Sequence, residues 1–477
     1  MKISGIVSSV LAALALAGNG YCAEAGGAGL ELAARNTERA VQLAETAFTY
    51  YFTDSVAMSR FYNPFTGVRS EEKGSVWMYT SSIESVNAVL RALAALKEAG
   101  SGELYGKYFG AFRRRLESLY GGLDWYCGTF TLTSYTRTGQ WSVYGVDRGQ
   151  APGKARVHGI YNVYDDQEWL IRELLESYRI TGEKKYLDKA EYLAEYVLDG
   201  WDATLDHEGK EYGGITWGPG YISKHSCSNG PLVSPLVWLS EICRDRKDKI
   251  VYRFIDRNGK RRTSKMNRSE YYLMYAEKVY DFHKSRLLMP EGVFYDLVPG
   301  QSAGKRDIAY ETVKGVRYRA HNEEGSPREK AYTYNTGTMI SGAADLYRAT
   351  GKSVYLEDMA AFTDASFAYF ARPYADVKGL CSYPEQGFSP WFNGVLLRGW
   401  AEASAHSENA GRYCATFQAN LDYAYDNCLE KGMLPPDIPG GWKTEPEENN
   451  VEGMFMFAYS AEYAVLAETI LSQMKGK

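Results

Sequence analysis

The sequence is poor in the residues and spacings that mark metal or nucleotide sites. Its 477 residues include seven cysteines and six histidines, with no Cys-x-x-Cys pair and no His-Glu-x-x-His run, so a zinc site is not expected. It also has no phosphate-binding loop and no Gly-x-Ser-x-Gly turn, the arrangements used to bind nucleotides and to present a nucleophilic serine. We therefore expect neither a metal nor a cofactor.

Long apolar runs are absent after the N-terminus, so no transmembrane segment is expected, since a membrane helix needs about 20 apolar residues. At the N-terminus, Lys2 precedes a short apolar run at 6–17 that is followed by small residues, which is the pattern of a secretory signal peptide. We predict a signal peptide at residues 1–25 and an exported protein, whether secreted, periplasmic or at the cell surface. Cys22 leaves lipid attachment open, although the three residues before it fit such a site poorly.

Strong net charge and Pro- or Ser-rich linkers are missing as well. The net charge of −5 argues against nucleic acid as a partner, and the basic run at 257–262 is interpreted as a solvated turn. Without a linker, we predict one catalytic domain over residues 26–477. Export permits disulfides, with Cys414 and Cys428 as a candidate pair, but the sequence determines neither the pairing nor the oligomeric state.

Aromatic residues, in contrast, are abundant, with 39 Tyr, 18 Phe and 10 Trp. Tyr and Trp combine a flat apolar face with a polar tip, which suits the C–H faces and hydroxyl edges of sugar rings. Most of these side chains are expected to fill the core of a large helical protein, and a handful to line a site.

Most of the chain shows helical periodicity, interrupted by Gly, Pro, Asn and Asp. Two segments between helices, 128–145 and 250–264, are predicted β-hairpins, the second with an Asn258-Gly259 turn. We predict twelve helices, or six pairs, at residues 30–52, 80–98, 102–120, 164–180, 184–199, 226–244, 268–288, 335–350, 353–371, 393–405, 411–430 and 452–472.

Two of the helical pairs echo each other, because YRITGEKKYLDKA at 178–190 resembles YRATGKSVYLEDM at 347–359. Gly182 and Gly351 are placed to end the first helix of each pair. Repeated hairpins predict an all-α fold, an (α/α)6 barrel with the first helix of each pair inside and its N-terminal end at a common face. An open solenoid is the competing architecture, but long inserts rich in Gly, aromatic and polar residues favour a barrel with a cleft at one end.

One of these inner helices begins at the segment YDDQEW, where Asp165 and Asp166 are adjacent. Aspartate in a first helical turn is favoured by capping and by the helix dipole, so a structural role explains the segment by itself. However, two adjacent carboxyl groups resist losing both protons, so one ionises while the other stays protonated longer. Glycoside hydrolysis needs that asymmetry, and the two carboxyls can lie roughly 5 Å apart, the separation of a retaining mechanism.

Several segments resemble, in order, those of glycoside hydrolase family 76, the endo-α-1,6-mannanases. Each segment is weak alone, but the ordered set spans about residues 160–400 and is specific. Asn393 departs from the pattern, because Lys is usual in its place. The matching segments are YDDQEWLIRELLESYRITGEKKYL (164–187), GGITW (213–217), SCSNGPLV (226–233), YNTGTMISGAADLYRATGKSVYL (334–356) and WFNGVLLRGW (391–400).

The resemblance implies a six-hairpin barrel that hydrolyses α-1,6-linked mannan or manno-oligosaccharides with retention. By this match Asp165 is the nucleophile and Asp166 the acid/base, although the sequence does not order the two roles or decide endo from exo action. Further residues are predicted to bind substrate. They are Tyr164, Trp217, Asn229, Asp296, Tyr334, Asn335, Trp391 and Arg398.

Each of these residues also has a plainer interpretation. Asn229 and Asn335 are placed as helix N-caps, and the aromatic residues suit buried packing. Asp296 fits a surface loop, and Arg398 fits a pair with a core carboxylate.

Other functions stay open on the sequence alone. A different carbohydrate-active barrel enzyme, either an inverting hydrolase or a lyase, would use the same fold; a lyase for acidic sugars would need a basic cleft, which the loops do not show. A non-catalytic glycan-binding protein would also carry stacking aromatics, but it has no need for adjacent aspartates in its cleft. A purely structural helical protein would not explain the ordered set of segments.

Overall fold

The computed structural model describes residues 22–53, 56–301 and 307–475. The predicted signal peptide lies outside the described residues up to position 21, and the first helix begins at Cys22. The described chain forms two compact units, and the prediction of one domain over 26–477 stays a prediction. We call them the central unit, residues 75–77 and 123–362, and the terminal unit, the residues up to 74, 78–122 and those from 363 onwards.

The described residues form twelve α-helices, which confirms the number predicted from periodicity. Most boundaries agree within a few residues, and the predicted helix at 226–244 is shorter because a 3-10 turn at Ser226–Ser228 precedes it. The helices are α1 (Cys22–Tyr51), α2 (Val76–Glu98), α3 (Glu103–Gly122), α4 (Tyr164–Thr181), α5 (Lys184–Asp199), α6 (Gly230–Ile242), α7 (Arg268–Leu287), α8 (Thr333–Thr350), α9 (Ser353–Phe370), α10 (Ser389–Ala403), α11 (Glu408–Asn427) and α12 (Gly453–Lys475).

In the terminal unit, the first and last helices, α1 and α12, pack along each other. The rings of Phe48 and Phe457 lie 4.9 Å apart, and the Ser460 hydroxyl donates a hydrogen bond of 2.8 Å to the carbonyl oxygen of Ala40. A closed series of helical hairpins requires this contact between its ends, and an open solenoid lacks it. The fold is therefore all-α and of the predicted (α/α)6 type.

Helix α12 is the one helix among the described residues that is long and apolar enough to cross a bilayer, judged by length and composition. This qualifies the expectation from the sequence that no segment after the N-terminus reaches that length. However, 83% of its most apolar window is buried inside the fold, as in the core helix of a globular protein.

In the central unit, α4, α6 and α8 lie side by side, and α5 and α7 pack on their hairpin partners. Helix α4 buries 13 of its 18 residues, as an inner helix must, and α8 does the same. Gly182 and Gly351 end these helices with φ of 70° and 68°, each donating its N–H to a carbonyl four residues back at 2.8 Å. The left-handed conformation that glycine adopts without strain therefore stops both helices as predicted.

Short antiparallel strand pairs fill the inserts between the helices. The two predicted hairpins are confirmed as β2 (Cys127–Thr133) with β3 (Thr138–Tyr144) and β5 (Lys249–Ile255) with β6 (Arg261–Asn267). A third hairpin, formed by residues 310–313 and 316–319, was not predicted from the sequence. Its Lys314-Gly315 turn has positive φ at both residues, as a type I′ turn requires. The remaining strands are β1 (Phe61–Tyr62), β4 (Lys224–His225), β7 (Leu297–Val298), β8 (Tyr310–Val313), β9 (Val316–Arg319), β10 (Arg372–Pro373), β11 (Cys381–Ser382) and β12 (Val451–Glu452).

The six cysteines from Cys127 to Cys428 are all free in the structure. Cys414 is buried and Cys428 is partly exposed, so the candidate pair does not form a disulfide. No disulfide therefore joins the described residues.

Candidate active site

The adjacent aspartates lie in the first turn of α4, in the central unit. The residue before the helix, Val163, has an extended backbone and no capping side chain. The N–H of Tyr164 instead donates to the carbonyl oxygen of Trp217 at 2.8 Å. The insert that carries Trp217 therefore fixes the end of the helix at which Asp165 and Asp166 lie.

Three hydrogen-bond donors from other residues surround the carboxylate of Asp165. Trp217 Nε1 donates to Oδ2 at 3.3 Å, the backbone N–H of Asp166 donates to Oδ1 at 3.1 Å, and the Cys227 thiol also donates. Burial raises the pKa of Asp165 to about 6, against the lowering effect of these donors. Since hydrogen bonds to a carboxylate favour its charged form, Asp165 is the member of the pair equipped to ionise.

Asp166 has a different environment, because only 6% of it is exposed. Burial raises its pKa well above the usual value, and the charges of Asp165 and Asp147 raise it further. Asp166 therefore holds its proton over a pH range in which Asp165 is ionised.

Trp217 is part of a stack of rings beside Asp165. Its ring stacks on His225, with centroids 4.8 Å apart and planes at 20°, and lies 4.6 Å from that of Tyr221. The buried guanidinium of Arg319 donates to the carbonyl oxygens of Pro219 and Tyr221 in the same loop. The loop is thus held in place by a residue that lies outside the stack.

Asp296 reaches the same region through a strand pairing that the sequence did not reveal. In the pair β4–β7, His225 lies opposite Leu297, next to Asp296. Asp296 Oδ2 lies 3.9 Å from His225 Nδ1, and Oδ1 accepts a hydrogen bond of 3.3 Å from the Tyr334 hydroxyl. Burial raises the pKa of Asp296 to about 6 and lowers that of His225 to about 4, so His225 is neutral at pH 7.

The side chains of Tyr164, Asn229 and Asn335 are buried, and each contacts other residues of the chain. The Tyr164 ring lies 5.2 Å from that of Tyr196. The Asn229 amide oxygen accepts from the N–H of Ile215 at 2.9 Å, and its Nδ2 donates to the carbonyl oxygens of Ile215 and His225 at 3.0 and 2.7 Å. Asn229 therefore joins two loops and does not cap α6 through its side chain.

Asn335 lies in the first turn of α8. Its Nδ2 donates to the carbonyl oxygens of Phe294 and Tyr295 at 3.5 Å each, whereas its buried Oδ1 has no hydrogen-bond partner among the described residues. Burial raises the pKa of the Asp296 carboxyl, and a hydrogen bond from Asn335 acts in the opposite direction. Asn335 thus steadies the segment that precedes β7 and contains Asp296.

The other two predicted residues, Trp391 and Arg398, lie on α10 in the terminal unit. Both contact the same carboxylate: Trp391 Nε1 donates to Glu84 Oε2 at 3.0 Å, and Arg398 forms an ion pair with Glu84 Oε1. The plainer interpretation of Arg398, a pair with a core carboxylate, agrees with this geometry. Their roles in binding substrate stay predictions.

Sequence reasoning missed three residues close to Asp165. The Cys227 thiol contacts its carboxylate, and His225 stacks on the ring that does so. Glu168 is fully buried three residues after Asp165, and both of its carboxyl oxygens have no hydrogen-bond partner among the described residues. A glutamate three residues after an aspartate on a helix shares its face, so Glu168 had a sequence signal.

The insert before β4 is fastened by a buried lysine. Lys224, of which 3% of the side chain is exposed, places Nζ 3.0 Å from Asp202 Oδ2 and 2.6 Å from Glu324 Oε1. Nζ also donates to the carbonyl oxygen of Gly213 at 2.5 Å, and His321 Nδ1 lies 2.8 Å from Asp202 Oδ2. These contacts tie residues 202–224 to the loop before α8.

Within the described ranges, no group of three or more His, Cys, Asp or Glu side chains is arranged to hold a metal ion.

Comparisons with known proteins agree with this architecture. A family model described as glycosyl hydrolase family 76 matches residues 261–434. Among proteins with curated functions, no sequence matches this chain.

Solved structures match over most of the chain. A family 76 glycoside hydrolase (mannosidase) from Bacteroides thetaiotaomicron VPI-5482 is 22% identical and aligns over 93% of this chain and 100% of its own, with a TM-score of 0.64. The α-1,6-mannanase of Salegentibacter sp. HEL1_6 is 20% identical over 91% of this chain and 99% of its own, with a TM-score of 0.58. A family 76 α-mannanase from Bacteroides thetaiotaomicron is 15% identical over 93% and 97%, with a TM-score of 0.60.

At these identities the solved structures establish the fold, and the family model adds the sequence match over its own range. Together they confirm the (α/α)6-type fold and the resemblance stated from the sequence: this chain is similar to the glycoside hydrolases of family 76, by fold over about nine-tenths of its length and by family model over residues 261–434.

Proposed function

We propose that the chain is an exported glycoside hydrolase that cleaves α-1,6-mannosidic linkages within mannan, with retention of anomeric configuration. Asp165 is the nucleophile and Asp166 the acid/base. The observation that carries the proposal is the unequal environment of the two carboxyls. Asp165 accepts hydrogen bonds from Trp217, Cys227 and a backbone N–H, whereas Asp166 is buried beside it and keeps its proton.

This asymmetry matches the two roles that a retaining mechanism requires. In the first step, ionised Asp165 attacks the anomeric carbon while Asp166 gives its proton to the departing glycosidic oxygen. In the second step, Asp166 accepts a proton from water, which displaces Asp165 and releases the sugar. The three donors on Asp165 orient its carboxylate, and the glycosyl ester that it forms leaves Asp166 as the remaining ionisable member of the pair.

The substrate class rests on relatives of the same fold. An inactive variant of the Salegentibacter α-1,6-mannanase, with two consecutive aspartates replaced by alanine, was solved in complex with α-1,6-mannotetrose. We infer that the adjacent aspartates of this chain act on the same kind of linkage. Trp217 offers its ring face to a sugar, and Asp296 and Tyr334 offer polar groups to its hydroxyls. We assign to Asn229, Asn335 and Tyr164 the holding of the loops and helix ends from which these side chains project.

Product analysis on linear α-1,6-mannan tests the proposal. The parent protein should release a ladder of manno-oligosaccharides, as internal cleavage requires, and proton NMR should show the α-anomer as the first product. Asp166→Asn should lose about 10²–10⁴-fold in kcat, the usual contribution of a general acid, and Asp165→Asn should lose at least as much. Asp188→Asn, on the exposed surface of α5, is the matched control and should keep full activity.

The outcomes separate the alternatives. A β-anomer as first product would replace the retaining mechanism by inversion, and mannose as the sole early product would replace endo by exo action. If the parent retains mannan on a column but releases no product, a glycan-binding protein is the better interpretation. Recovery of the processed protein outside the cytoplasm, with residues 1–25 removed, checks export.

A further inference from the structure

The segment 244–268, which contains the hairpin β5–β6, has a charge opposite to that of the rest of the chain. It holds eleven Lys and Arg residues against three Asp residues, a net charge of +8. Because the whole chain carries −5, the remaining residues carry −13. We call this segment the basic hairpin.

Some of these cations anchor the basic hairpin. Arg246 and Arg268 contact Glu191 and Asp248 at 2.6 to 3.3 Å, and Arg261 pairs with Glu311 on β8. The Tyr252 ring packs edge-on against that of Tyr271, 6.4 Å away. The base of the basic hairpin is thus attached to neighbouring elements, and its conformation does not depend on its exposed charges.

Six other cations of the basic hairpin are exposed and form no ion pair with any of the described residues. In the run at 257–262, residues 257–260 form the exposed turn between the strands. Arg261 and Arg262 of this run are paired, whereas Arg257 and Lys260 form no ion pair with the described residues. The six are Arg244, Lys247, Lys249, Arg257, Lys260 and Lys265.

The strand pairing aligns part of this charge. Lys265 lies opposite Val251, two residues from Lys249 and from Arg253. Since directly opposed residues in an antiparallel pair share a face, Lys249, Arg253 and Lys265 lie on one face of the hairpin. Residues two apart on a strand are separated by about 7 Å, so the positive charges form a row that a linear polyanion can follow.

We propose that the basic hairpin binds an anionic glycan, a polysaccharide chain bearing sulfate, phosphate or carboxylate groups. The negative remainder of the chain repels such a polymer, so the contact is directed to this one surface. The choice of a glycan over other polyanions rests on the proposed function, because a polysaccharide hydrolase meets its substrate within mixed glycan material. The binding is separate from hydrolysis and uses none of the residues assigned to it.

Affinity for dextran sulfate, with unsulfated dextran as the neutral comparison, tests the proposal on the full-length protein at about 0.1 M salt. We expect binding to the sulfated polymer alone, and its loss at about 1 M salt, where charges are screened beyond ~3 Å. In one variant, Lys249, Arg257, Lys260 and Lys265 are all changed to Glu. It should bind roughly tenfold more weakly or worse, since the sign of the local field is reversed. A second variant with Gln at the same positions should be intermediate.

The matched control changes four exposed lysines elsewhere, Lys107, Lys154, Lys378 and Lys431, to Glu. It alters net charge equally and should retain binding. Cleavage of neutral mannan should be the same in all variants, so a failure of the proposed function is read separately. The proposal is overturned if the parent does not bind dextran sulfate, or if the control loses as much affinity as the hairpin variant. Stronger binding to phosphatidylglycerol vesicles or to single-stranded DNA than to dextran sulfate would also overturn it.

Discussion

The indole N–H of Trp217 donates a hydrogen bond of 3.3 Å to Oδ2 of Asp165, while the ring of Trp217 stacks on His225. One side chain from an insert therefore orients the candidate nucleophile and joins it to a stack of rings. The aromatic residue and the carboxylate form a single arrangement, although 52 positions separate them in the sequence.

Trp217→Phe keeps an aromatic face and removes the donor. Because a hydrogen bond to the charged form lowers a carboxyl pKa, its loss should raise the pKa of Asp165 from about 6. We expect the acid limb of the kcat/KM profile on mannan to move up by about one pH unit, since such bonds contribute about 1.5 kcal/mol. Tyr221→Phe in the same stack is the control, and an equal shift in both variants would contradict the assignment.

Glu168→Gln tests the buried carboxyl without a partner. Burial, with the nearby charge of Asp165, raises the pKa of Glu168 well above its usual value. The unfolded chain releases this proton near pH 4.3 while the folded protein keeps it, so the parent loses stability as pH rises above that value. The variant should gain stability relative to the parent by up to about 1.4 kcal/mol per pH unit.

Denaturant unfolding at pH 5 and pH 8 measures that gain. The readout is how much the stability gain of the variant over the parent changes between pH 5 and pH 8. A buried amide has a cost of its own, but that cost does not depend on pH. Glu103→Gln on the exposed start of α3 should show no such difference. If the stability gain of Glu168→Gln over the parent is the same at pH 5 and pH 8, Glu168 is ionised in the folded protein.

Gly351→Ala should destabilise the fold by about 1–2 kcal/mol, the cost of left-handed backbone for a residue with a Cβ. No atom lies within 4 Å of the added Cβ, so the backbone conformation alone supplies the cost. The urea midpoint should fall, while kcat per folded molecule should not change. Gly106→Ala, inside α3 and equally open, should have no such cost, and an unchanged midpoint for Gly351→Ala would refute the argument.

Lys224→Met leaves Asp202 and Glu324 without their shared cation. Removing one partner from a buried ion pair costs about 3–5 kcal/mol, and we expect a loss of this size in unfolding free energy. Glu324 keeps Arg286 at 2.7 Å, whereas the one basic side chain that Asp202 still contacts among the described residues is that of His321, at 2.8 Å. Lys184→Met, in an exposed pair on α5, is the control, and equal effects would show that burial is unimportant here.

Much of the helical framework was predictable, because helices are specified by local sequence patterns such as hydrophobic periodicity and terminal glycines. Periodicity gave twelve helices, and Gly182 and Gly351 ended two of them as expected from glycine's backbone freedom. Adjacent aspartates at a helix start were recognisable for the same reason, since the asymmetry of two neighbouring carboxyls follows from their separation in the sequence.

The surroundings of those aspartates were not predictable, because they depend on pairings between distant segments. The β4–β7 strands, two residues each, bring Asp296 to His225, and nothing in either sequence segment specifies the partner. For Asn229 the sequence suggested substrate binding, with a helix cap as the plainer interpretation. Its side chain forms hydrogen bonds with three backbone groups of neighbouring loops and does not cap α6. Cys227 carries no signal by itself, and only the folded chain places its thiol against Asp165.

Helix α4 carries its acids in the first turn and its glycine stop at the other end, about 27 Å away for 18 residues. The resemblance between 178–190 and 347–359 lies at that stop, whereas YDDQEW and YNTGTM, at the opposite ends of α4 and α8, differ. The two repeated units are thus alike at the C-terminal ends of α4 and α8 and differ at the first turns of these helices. New chemistry at the first turns can be acquired without rebuilding the hairpins, because the residues that end the helices lie at the opposite ends from the first turns.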